Sequence, residues 1–384
     1  MTERRTSPSG VGVALGGAFA IAAGIGVGRF IYTPILPPMA EALGMGKAQA
    51  GLIASANFAG YFVGAIWAAA ARLPGSRRAW LLVAMAASAA STAGMGLGVG
   101  TAGVLALRFA GGVASAFVLI LASALVLEAL GRMGRTGLAA LLFAGGGIGM
   151  TASAIAVAAL MGAGAGWETL WLAGGVLSVL AMLGVMALVP PERGAAGAGP
   201  GPGEAAGNLN GPMLRLAGAY FLFGFGYVIT ATFLVAIVRG NPDIRPLEPA
   251  IWIIVGLSAT PCVALWSWLA RRTDTATGFA LAALTEAVGV LASVAWPSRA
   301  GMILAAVLLG GTFMGIVALG LMRARELAVG DPRRAIAWVT GAFGVGQIIG
   351  PIFAGALADR TGDLALASYA AAAGLVAAAV LVRR

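Results

Sequence analysis

The chain has 384 residues, of which 60% are hydrophobic and only 10% are charged, and its formal net charge is +10. A soluble protein carries roughly a quarter charged residues, so this composition excludes a soluble domain and indicates a polytopic membrane protein. Histidine is absent, and the single cysteine, Cys262, excludes an internal disulfide. A proton-binding site would therefore have to use a carboxylate.

Twelve apolar segments, each close to the length of a bilayer span, follow one another along the chain. This pattern predicts an all-α polytopic membrane protein with twelve transmembrane helices. Pro34, Pro37 and Pro38 predict that the first helix breaks at its outer end. The segments are 11–36, 49–71, 79–100, 102–130, 137–161, 168–189, 213–238, 250–270, 276–296, 300–322, 335–358 and 364–382.

A stretch rich in glycine, alanine and proline separates the sixth segment from the seventh. Residues 190–212 show no apolar periodicity, so we interpret them as a flexible cytoplasmic linker. This linker divides the chain into an N-terminal six-helix bundle, residues 1–189, and a C-terminal six-helix bundle, residues 213–384.

Arginine and lysine are distributed unevenly between alternate loops. With the N-terminus in the cytoplasm, seventeen of them lie in cytoplasmic segments and five lie in external loops. The positive-inside rule therefore predicts a multi-pass protein of a bacterial-type cytoplasmic membrane with both termini in the cytoplasm. The same distribution explains most of the net charge of +10 without a nucleic-acid partner.

The motifs of soluble enzymes are missing from the sequence. It contains no phosphate-binding GxxxxGK[ST] motif, no GxSxG motif and no cluster of residues that predicts a metal site. We therefore predict that the chain is not an enzyme, that it needs no cofactor, and that ATP does not drive it directly.

Three local patterns recur at nearly one offset, which is the signature of an internal repeat. Such a repeat predicts two parallel six-helix halves related by a pseudo-twofold axis, with a solute site between them near the middle of the membrane. The matches are 26–36 with 224–234, 111–112 with 310–311 and 145–149 with 346–350, at offsets of 198, 199 and 201.

Five strings carry a resemblance to a known family. RFAGGVASA, residues 108–116, and GAFGVGQIIGPIFAG, residues 341–355, resemble motifs of the fourth and eleventh helices of the major facilitator superfamily. GVGRFIYTPILPPM, residues 26–39, QAGLIASANFAGYFVGA, residues 49–65, and GFGYVITATFL, residues 224–234, resemble its YbfB/YjiJ-like branch. The resemblance covers nearly the whole chain and implies a transporter of twelve helices in two bundles.

The loop at residues 64–78 departs from the superfamily pattern. It lacks the acidic residue that is usual in the cytoplasmic gate motif of the superfamily. The resemblance therefore does not predict how the cytoplasmic face of this protein is held closed.

Two arginines, Arg29 and Arg108, lie inside apolar segments. A rise of 1.5 Å per residue places both guanidinium groups in the outer half of the membrane, and the resemblance implies that their helices line the central cavity. Unpaired guanidinium groups there predict a carboxylate, phosphate or sulfonate ligand. The alternative is that each arginine donates to backbone carbonyls freed near Gly26, Gly28 or Pro34 and joins two helices.

Glu286 lies at the centre of the ninth segment. A carboxyl group at this depth suits a proton-coupling site. The resemblance, however, places the ninth helix at the periphery of the bundle, which favours a neutral, hydrogen-bonded side chain.

Uncharged polar side chains complete the predicted substrate site. Tyr227 occupies the repeat position of Arg29, and aromatic walls with a few hydroxyl groups are common in small-molecule sites. For Asn57 and Gln347 the alternative is hydrogen bonding between helices. The full set is Tyr32, Asn57, Tyr61, Tyr227, Thr230 and Gln347.

We therefore predict a secondary active transporter that moves a small organic solute, anionic or polar, by alternating access of its two halves. The alternatives are multidrug or metabolite efflux by proton antiport, and a membrane receptor that binds without transporting. The expected partners are the solute, the lipid bilayer and a coupling proton or counter-substrate, and the expected state is a monomer.

Overall fold

The computed structural model describes residues 9–70, 74–191, 210–329 and 332–383. Across these ranges the chain is helical and forms no strand. Twelve helical stretches are long and apolar enough to cross a membrane. The prediction of an all-α fold with twelve transmembrane helices is therefore confirmed.

The first six spans contain seven α-helices, because the first span is built from two helices with a break between them. Each later span is built on one α-helix. The helices are α1 (Gly10–Ile21), α2 (Tyr32–Leu43), α3 (Lys47–Ala70), α4 (Arg77–Gly94), α5 (Gly100–Arg132), α6 (Ala139–Gly162) and α7 (Trp167–Leu188).

The last six spans follow the same order without such a break. They are α8 (Gly211–Arg239), α9 (Glu248–Arg272), α10 (Thr275–Ala295), α11 (Arg299–Leu327), α12 (Pro332–Thr361) and α13 (Ala365–Arg383).

The two halves repeat one packing pattern. Helices α3 and α4 pack on α5, and α1 packs on α5, α6 and α7. In the second half α9 and α10 pack on α11, and α8 packs on α12 and α13. The halves meet where α3 packs on α12, α6 on α9, and α2 on α8. The exact domain limits stay a prediction, because most of the linker lies outside the described residues.

Close helix contacts define the repeat more sharply than the sequence does. A Cβ atom on Gly112 would lie 2.0 Å from the carbonyl oxygen of Asn57, and one on Gly310 would lie 2.2 Å from that of Val255. Residue 310 follows 112 by 198 positions, as 255 follows 57. The structural equivalent of Gly112 is therefore Gly310, and the offset of 199 inferred for this glycine pair is one residue too long.

A π-helix at Ala22–Val27 interrupts the first span. Its wider turn is closed by the amide of Gly28, which donates to the carbonyl oxygen of Ala23 at 2.8 Å. The predicted break at the prolines is wrong, because α2 continues through Pro37 and Pro38. The first span breaks earlier, between Ile21 and Tyr32, so Arg29 lies within the break.

We call the end of the bundle that carries residues 44–46, 240–247 and 362–364 the outer face, after the orientation predicted from the arginine distribution. At this face the Asp359 carboxylate of α12 accepts hydrogen bonds from the amides of Lys47 and Ala48, at 2.9 and 3.0 Å. These amides begin α3, where helix N–H groups have no partner within the helix. An acidic cap on α12 of the second half thus links the outer end of that helix to the start of α3 in the first half.

An ion-pair cluster joins the halves at the same face. Arg239 at the end of α8 pairs with Glu41 of α2 and, at 2.9 Å, with Glu248 of α9. Two carboxylates and one guanidinium give the cluster a net negative charge.

Candidate functional site

A hydrogen-bonded chain of three side chains crosses between the halves. The Nη2 atom of Arg29 donates to Oε1 of Gln347 on α12 at 2.9 Å. The Nε2 atom of Gln347 in turn donates to the hydroxyl oxygen of Tyr227 on α8. Because this oxygen accepts, the hydroxyl hydrogen of Tyr227 remains available to a ligand. The repeat-equivalent residues Arg29 and Tyr227 therefore meet at one amide.

Aromatic rings surround the guanidinium of Arg29. Its Cζ atom lies 4.2 Å from the ring centre of Tyr61 and 4.6 Å from that of Phe58. Both rings belong to α3. At such distances the cation attracts the ring faces, and the attraction is strongest in desolvated sites. Arg29 is thus held by rings and by a neutral amide.

A second group of rings surrounds Tyr227. Its ring lies nearly parallel to those of Phe313 and Phe343, with interplanar angles of 8° and 6° and centres 5.7 and 5.9 Å apart. Phe223, one turn earlier on α8, stacks on Tyr227 with centres 5.0 Å apart. The region between Arg29 and Tyr227 is therefore walled by aromatic surface.

Neither buried arginine forms an ion pair in the described parts of the chain. Arg29 is 6% exposed and Arg108 is 4% exposed. The Nε atoms of both have no hydrogen-bond partner there. A buried cation without a counter-charge is costly, so these groups favour an anionic or strongly accepting ligand.

Arg108 contacts the backbone of the broken span. Its guanidinium donates to the carbonyl oxygens of Gly28 and Arg29 at 3.3 and 3.4 Å. The side-chain amide of Asn57 donates to the carbonyl oxygen of Arg108 itself at 2.9 Å. These contacts match the alternative in which Arg108 joins two helices. They place the guanidinium of Arg108 against the backbone of Gly28 and Arg29.

Two other predicted residues lie beside this network. The hydroxyl of Tyr32 donates to the backbone carbonyl of Ala50 at 2.8 Å, and the Tyr32 ring lies 4.9 Å from the Cζ atom of Arg108. Thr230 is buried three residues after Tyr227, and its hydroxyl has no partner among the residues described. Tyr32 thus contacts Arg108, and Thr230 lies one helical turn from Tyr227 on α8.

Glu286 lies outside the chain of Arg29, Gln347 and Tyr227. It is fully buried on α10, a helix that packs mainly on α11 and α13. Both carboxyl oxygens lack a hydrogen-bond partner in the described residues. An ionised carboxylate is costly in such surroundings without a cation, which favours the neutral form of this group.

Sequence reasoning missed the phenylalanines of the site. Phe58 lies three residues before Tyr61 and Phe223 lies four residues before Tyr227, spacings that put each pair on one helix face. That signal was present in the sequence. For Phe313 and Phe343, which come from α11 and α12, only the packing of the helices shows their place.

Comparison with known proteins gives a family for this fold. A family model described as "Uncharacterised MFS-type transporter YbfB" matches residues 21–383. A chloramphenicol resistance protein of Streptomyces lividans is 31% identical over 362 residues, which cover 88% of each chain.

Solved structures show the same architecture. A mutant of the nucleoside transporter NupG superposes with a TM-score of 0.76 at 13% identity, over 97% of this chain and 99% of its own. A D-xylose–proton symporter gives a TM-score of 0.74 at 12% identity, over 96% of this chain and 95% of its own. The chain is therefore a multi-pass membrane protein that belongs to the YbfB-like family of major facilitator superfamily transporters.

Proposed function

We propose that the protein transports a small organic solute, anionic or strongly hydrogen-bond accepting, whose acceptor group binds Arg29. The observation that carries this proposal is the guanidinium of Arg29, which is buried between the halves. Within the described ranges it contacts a neutral amide and aromatic rings but no carboxylate. A carboxylate would bind such a planar group through two parallel hydrogen bonds. The aromatic walls suit a solute with an apolar body.

In this proposal the neighbouring residues have separate roles. Gln347 and Tyr227 orient the solute, because the amide bonds to Arg29 and the hydroxyl retains a hydrogen to donate. Tyr61 lines the site from α3, and Thr230 supplies a further hydroxyl from α8. Arg108 holds the backbone at Arg29 in place through its hydrogen bonds to that backbone. Asn57 and Tyr32 in turn contact Arg108.

Alternating access would follow from the contacts between the halves. The described conformer is closed at the outer face by Asp359 and by the Arg239 cluster. Rocking of the halves would separate α3 from α12 and α6 from α9 and expose Arg29 to the other side. The arginine distribution supports a bacterial-type cytoplasmic membrane with both termini in the cytoplasm.

The test compares matched ligands on purified protein. Benzoate carries a carboxylate on an apolar ring, and benzamide is its uncharged analogue. We expect benzoate to raise the unfolding temperature more than benzamide, because a ligand that binds only the folded state stabilises it. Arg29→Gln should abolish this difference, whereas Arg132→Gln, which changes an arginine exposed at the inner end of α5, should retain it. An unchanged preference in Arg29→Gln would overturn the assignment.

Counterflow in proteoliposomes then separates a transporter from a receptor. Vesicles loaded with unlabelled benzoate should accumulate labelled benzoate if the protein moves the solute. Binding to purified protein without counterflow would indicate a receptor with a transporter fold.

A second candidate function is drug efflux by proton antiport. The relative from Streptomyces lividans is named as a chloramphenicol resistance protein, which supports an amphenicol substrate. Glu286 supports a proton site because it is a fully buried carboxyl group that forms no ion pair among the described residues. In this case chloramphenicol would leave vesicles faster when a pH gradient is imposed. Glu286→Gln should preserve chloramphenicol counterflow and abolish the effect of the gradient. Loss of counterflow together with the gradient effect would count against a separate proton site.

A further inference from the structure

Helix α9 carries a stripe of outward-facing apolar side chains. Leu257, Leu265 and Trp268 form this stripe, and they are 58%, 53% and 43% exposed. On the opposite side of the helix, Trp266 donates its indole hydrogen to the carbonyl oxygen of Gly311 on α11 at 2.6 Å. Because the chain spans a membrane, the side chains of the free stripe contact the acyl chains of lipids. The stripe runs to the inner end of α9.

Two arginines lie where this stripe ends. Arg271 and Arg272 are the last two residues of α9, and both are exposed. The Cζ atom of Arg272 lies over the ring of Trp268, one turn earlier, at 4.2 Å from the ring centre. A guanidinium that stacks on a ring by its face keeps the N–H groups at its edge free. Those groups can bind two oxygens of one phosphate.

The acidic side chains near these arginines are bound to other groups. Neither arginine forms an ion pair within the described ranges. The Asp274 carboxylate accepts hydrogen bonds from the backbone and the side chain of Thr277, at 2.9 and 2.6 Å. Glu326 of α11 accepts from Thr275 and from Arg323. The guanidinium groups at the end of α9 are therefore available to an external anion.

Arginines at the inner ends of α4 and α5, in the first half, are bound within the protein. Arg77 and Arg132 pair with Glu128 at 2.8 and 2.7 Å. Arg78 donates to two carbonyl oxygens at the end of α7, both at 2.8 Å. The inner face is thus asymmetric, because the arginines at the end of α9 have no such acceptors in the described parts of the chain.

We propose that the inner end of α9 binds an anionic phospholipid, with its phosphate on Arg271 and Arg272 and its acyl chains along the apolar stripe. Anionic headgroups of the cytoplasmic leaflet attract basic residues that adjoin a span. A phosphate joined to apolar chains matches an arginine pair joined to an apolar stripe, whereas free phosphate matches only the arginines. This site is independent of Arg29 and of the transported solute. Because α9 packs on α6 of the other half, the lipid would hold one of the helices at which the halves meet.

The test measures lipid binding to the purified full-length protein by native mass spectrometry. Phosphatidylglycerol and phosphatidylcholine with identical acyl chains are compared, and we expect tighter binding of the anionic phosphatidylglycerol. Arg272→Gln should lose about fivefold of this preference, which is the contribution of one arginine next to an anionic headgroup. Arg383→Gln is the control, because it removes the same charge from an exposed arginine at the inner end of α13. It should retain the preference.

A second variant separates a built site from general surface charge. Trp268→Leu keeps both arginines and removes the ring beneath Arg272, so it should also lower the preference. Phosphatidylcholine binding that is unchanged in each variant shows that the fold is intact. An unchanged preference in Arg272→Gln or in Trp268→Leu would overturn the proposal, as would equal losses in Arg272→Gln and Arg383→Gln.

Inorganic phosphate distinguishes a lipid site from a phosphate site. It lacks acyl chains, so an excess of it should not displace phosphatidylglycerol from the wild-type protein. Displacement by inorganic phosphate would show that the arginines bind phosphate alone and would overturn the assignment to a lipid.

Discussion

Thr33 donates its hydroxyl hydrogen to the carbonyl oxygen of Ala231 at 2.7 Å, and these two residues occupy equivalent positions of the internal repeat, 198 residues apart. The ion pair of Glu41 with Arg239 has the same separation of 198. Equivalent residues of two halves related by a twofold axis touch only close to that axis. Helices α2 and α8 therefore meet at the pseudo-twofold axis, and this contact closes the outer half of the molecule above Arg29.

The planar shape of the Arg29 guanidinium, and not only its charge, should determine the affinity for benzoate. Arg29→Lys keeps a positive charge but loses the planar group that stacks on Tyr61 and binds a carboxylate through two bonds. We expect the affinity for benzoate to fall about tenfold, which corresponds to about 1.4 kcal/mol. Isothermal titration of the purified protein measures this change. If Arg29→Lys bound benzoate as tightly as the wild-type protein, the positive charge alone would determine binding.

Arg108 should act on the solute through Arg29. Its guanidinium bonds to the carbonyl oxygens of Gly28 and Arg29, so Arg108→Leu releases the broken segment that presents Arg29. We expect benzoate affinity to fall in this variant as well. In a double-mutant cycle, the variant that combines Arg29→Gln with Arg108→Leu should lose no more benzoate affinity than Arg29→Gln alone, because both substitutions disable the same binding site. Additive losses would instead place Arg108 in direct contact with the solute.

The contact of α6 with α9 should control the balance between conformers. A Cβ atom on Gly256 would lie 2.6 Å from the backbone nitrogen of Thr151, so Gly256→Leu cannot fit in the described conformer. We expect spin labels attached at Ala163 and Pro242 on the outer face to move apart in this variant. Gly311→Leu is the control, because a Cβ atom there has no neighbour within 4 Å. An unchanged distance in Gly256→Leu would mean that α6 and α9 do not separate.

The Asp359 cap should hold the outer face closed. Removal of a helix cap costs about 1 kcal/mol, which changes a two-state ratio roughly fivefold. Asp359→Ala should therefore raise the outward-open population by about this factor in the same spin-label measurement. Asp363→Ala is the control, since the Asp363 carboxylate accepts from Ala365, within its own half. A wild-type distribution in Asp359→Ala would contradict the role of the cap.

Asp274 should make a small, pH-dependent contribution to stability. Hydrogen bonds from the side chain and the backbone of Thr277 lower the pKa of this exposed N-cap carboxyl below its usual value of 3.8. A lowered pKa in the folded protein gives stability that is present at neutral pH and is lost as the pH falls below about 4 through the folded pKa. The difference in unfolding temperature between wild type and Asp274→Ala should therefore shrink in acid. A difference that is constant across that range would show that the bonds do not depend on ionisation.

Much of the fold and part of the site could be predicted from the sequence for physical reasons. Span length, loop charge and the 198-residue repeat follow from the bilayer and from duplication, and they lead to Arg29 facing Tyr227. The π-helix carries no comparable signal, because buried glycines are frequent in every span. The sequence alone therefore could not decide whether Arg108 binds a solute or the backbone carbonyls freed at that break. The rings of Phe313 and Phe343 depend on how the helices pack, which no single segment encodes.

The π-helix at Ala22–Val27 also sets the rotational register of Arg29. Its hydrogen bonds join residues five apart rather than four, so it acts like one inserted residue in an α-helix. Each residue of an α-helix turns the following side chain by about 100°. Deletion of one residue within 22–27 would change this register and turn Arg29 away from Gln347, leaving composition and span length almost unchanged. Relatives that differ by a single residue before this arginine would thus present a different side chain to the centre of the membrane.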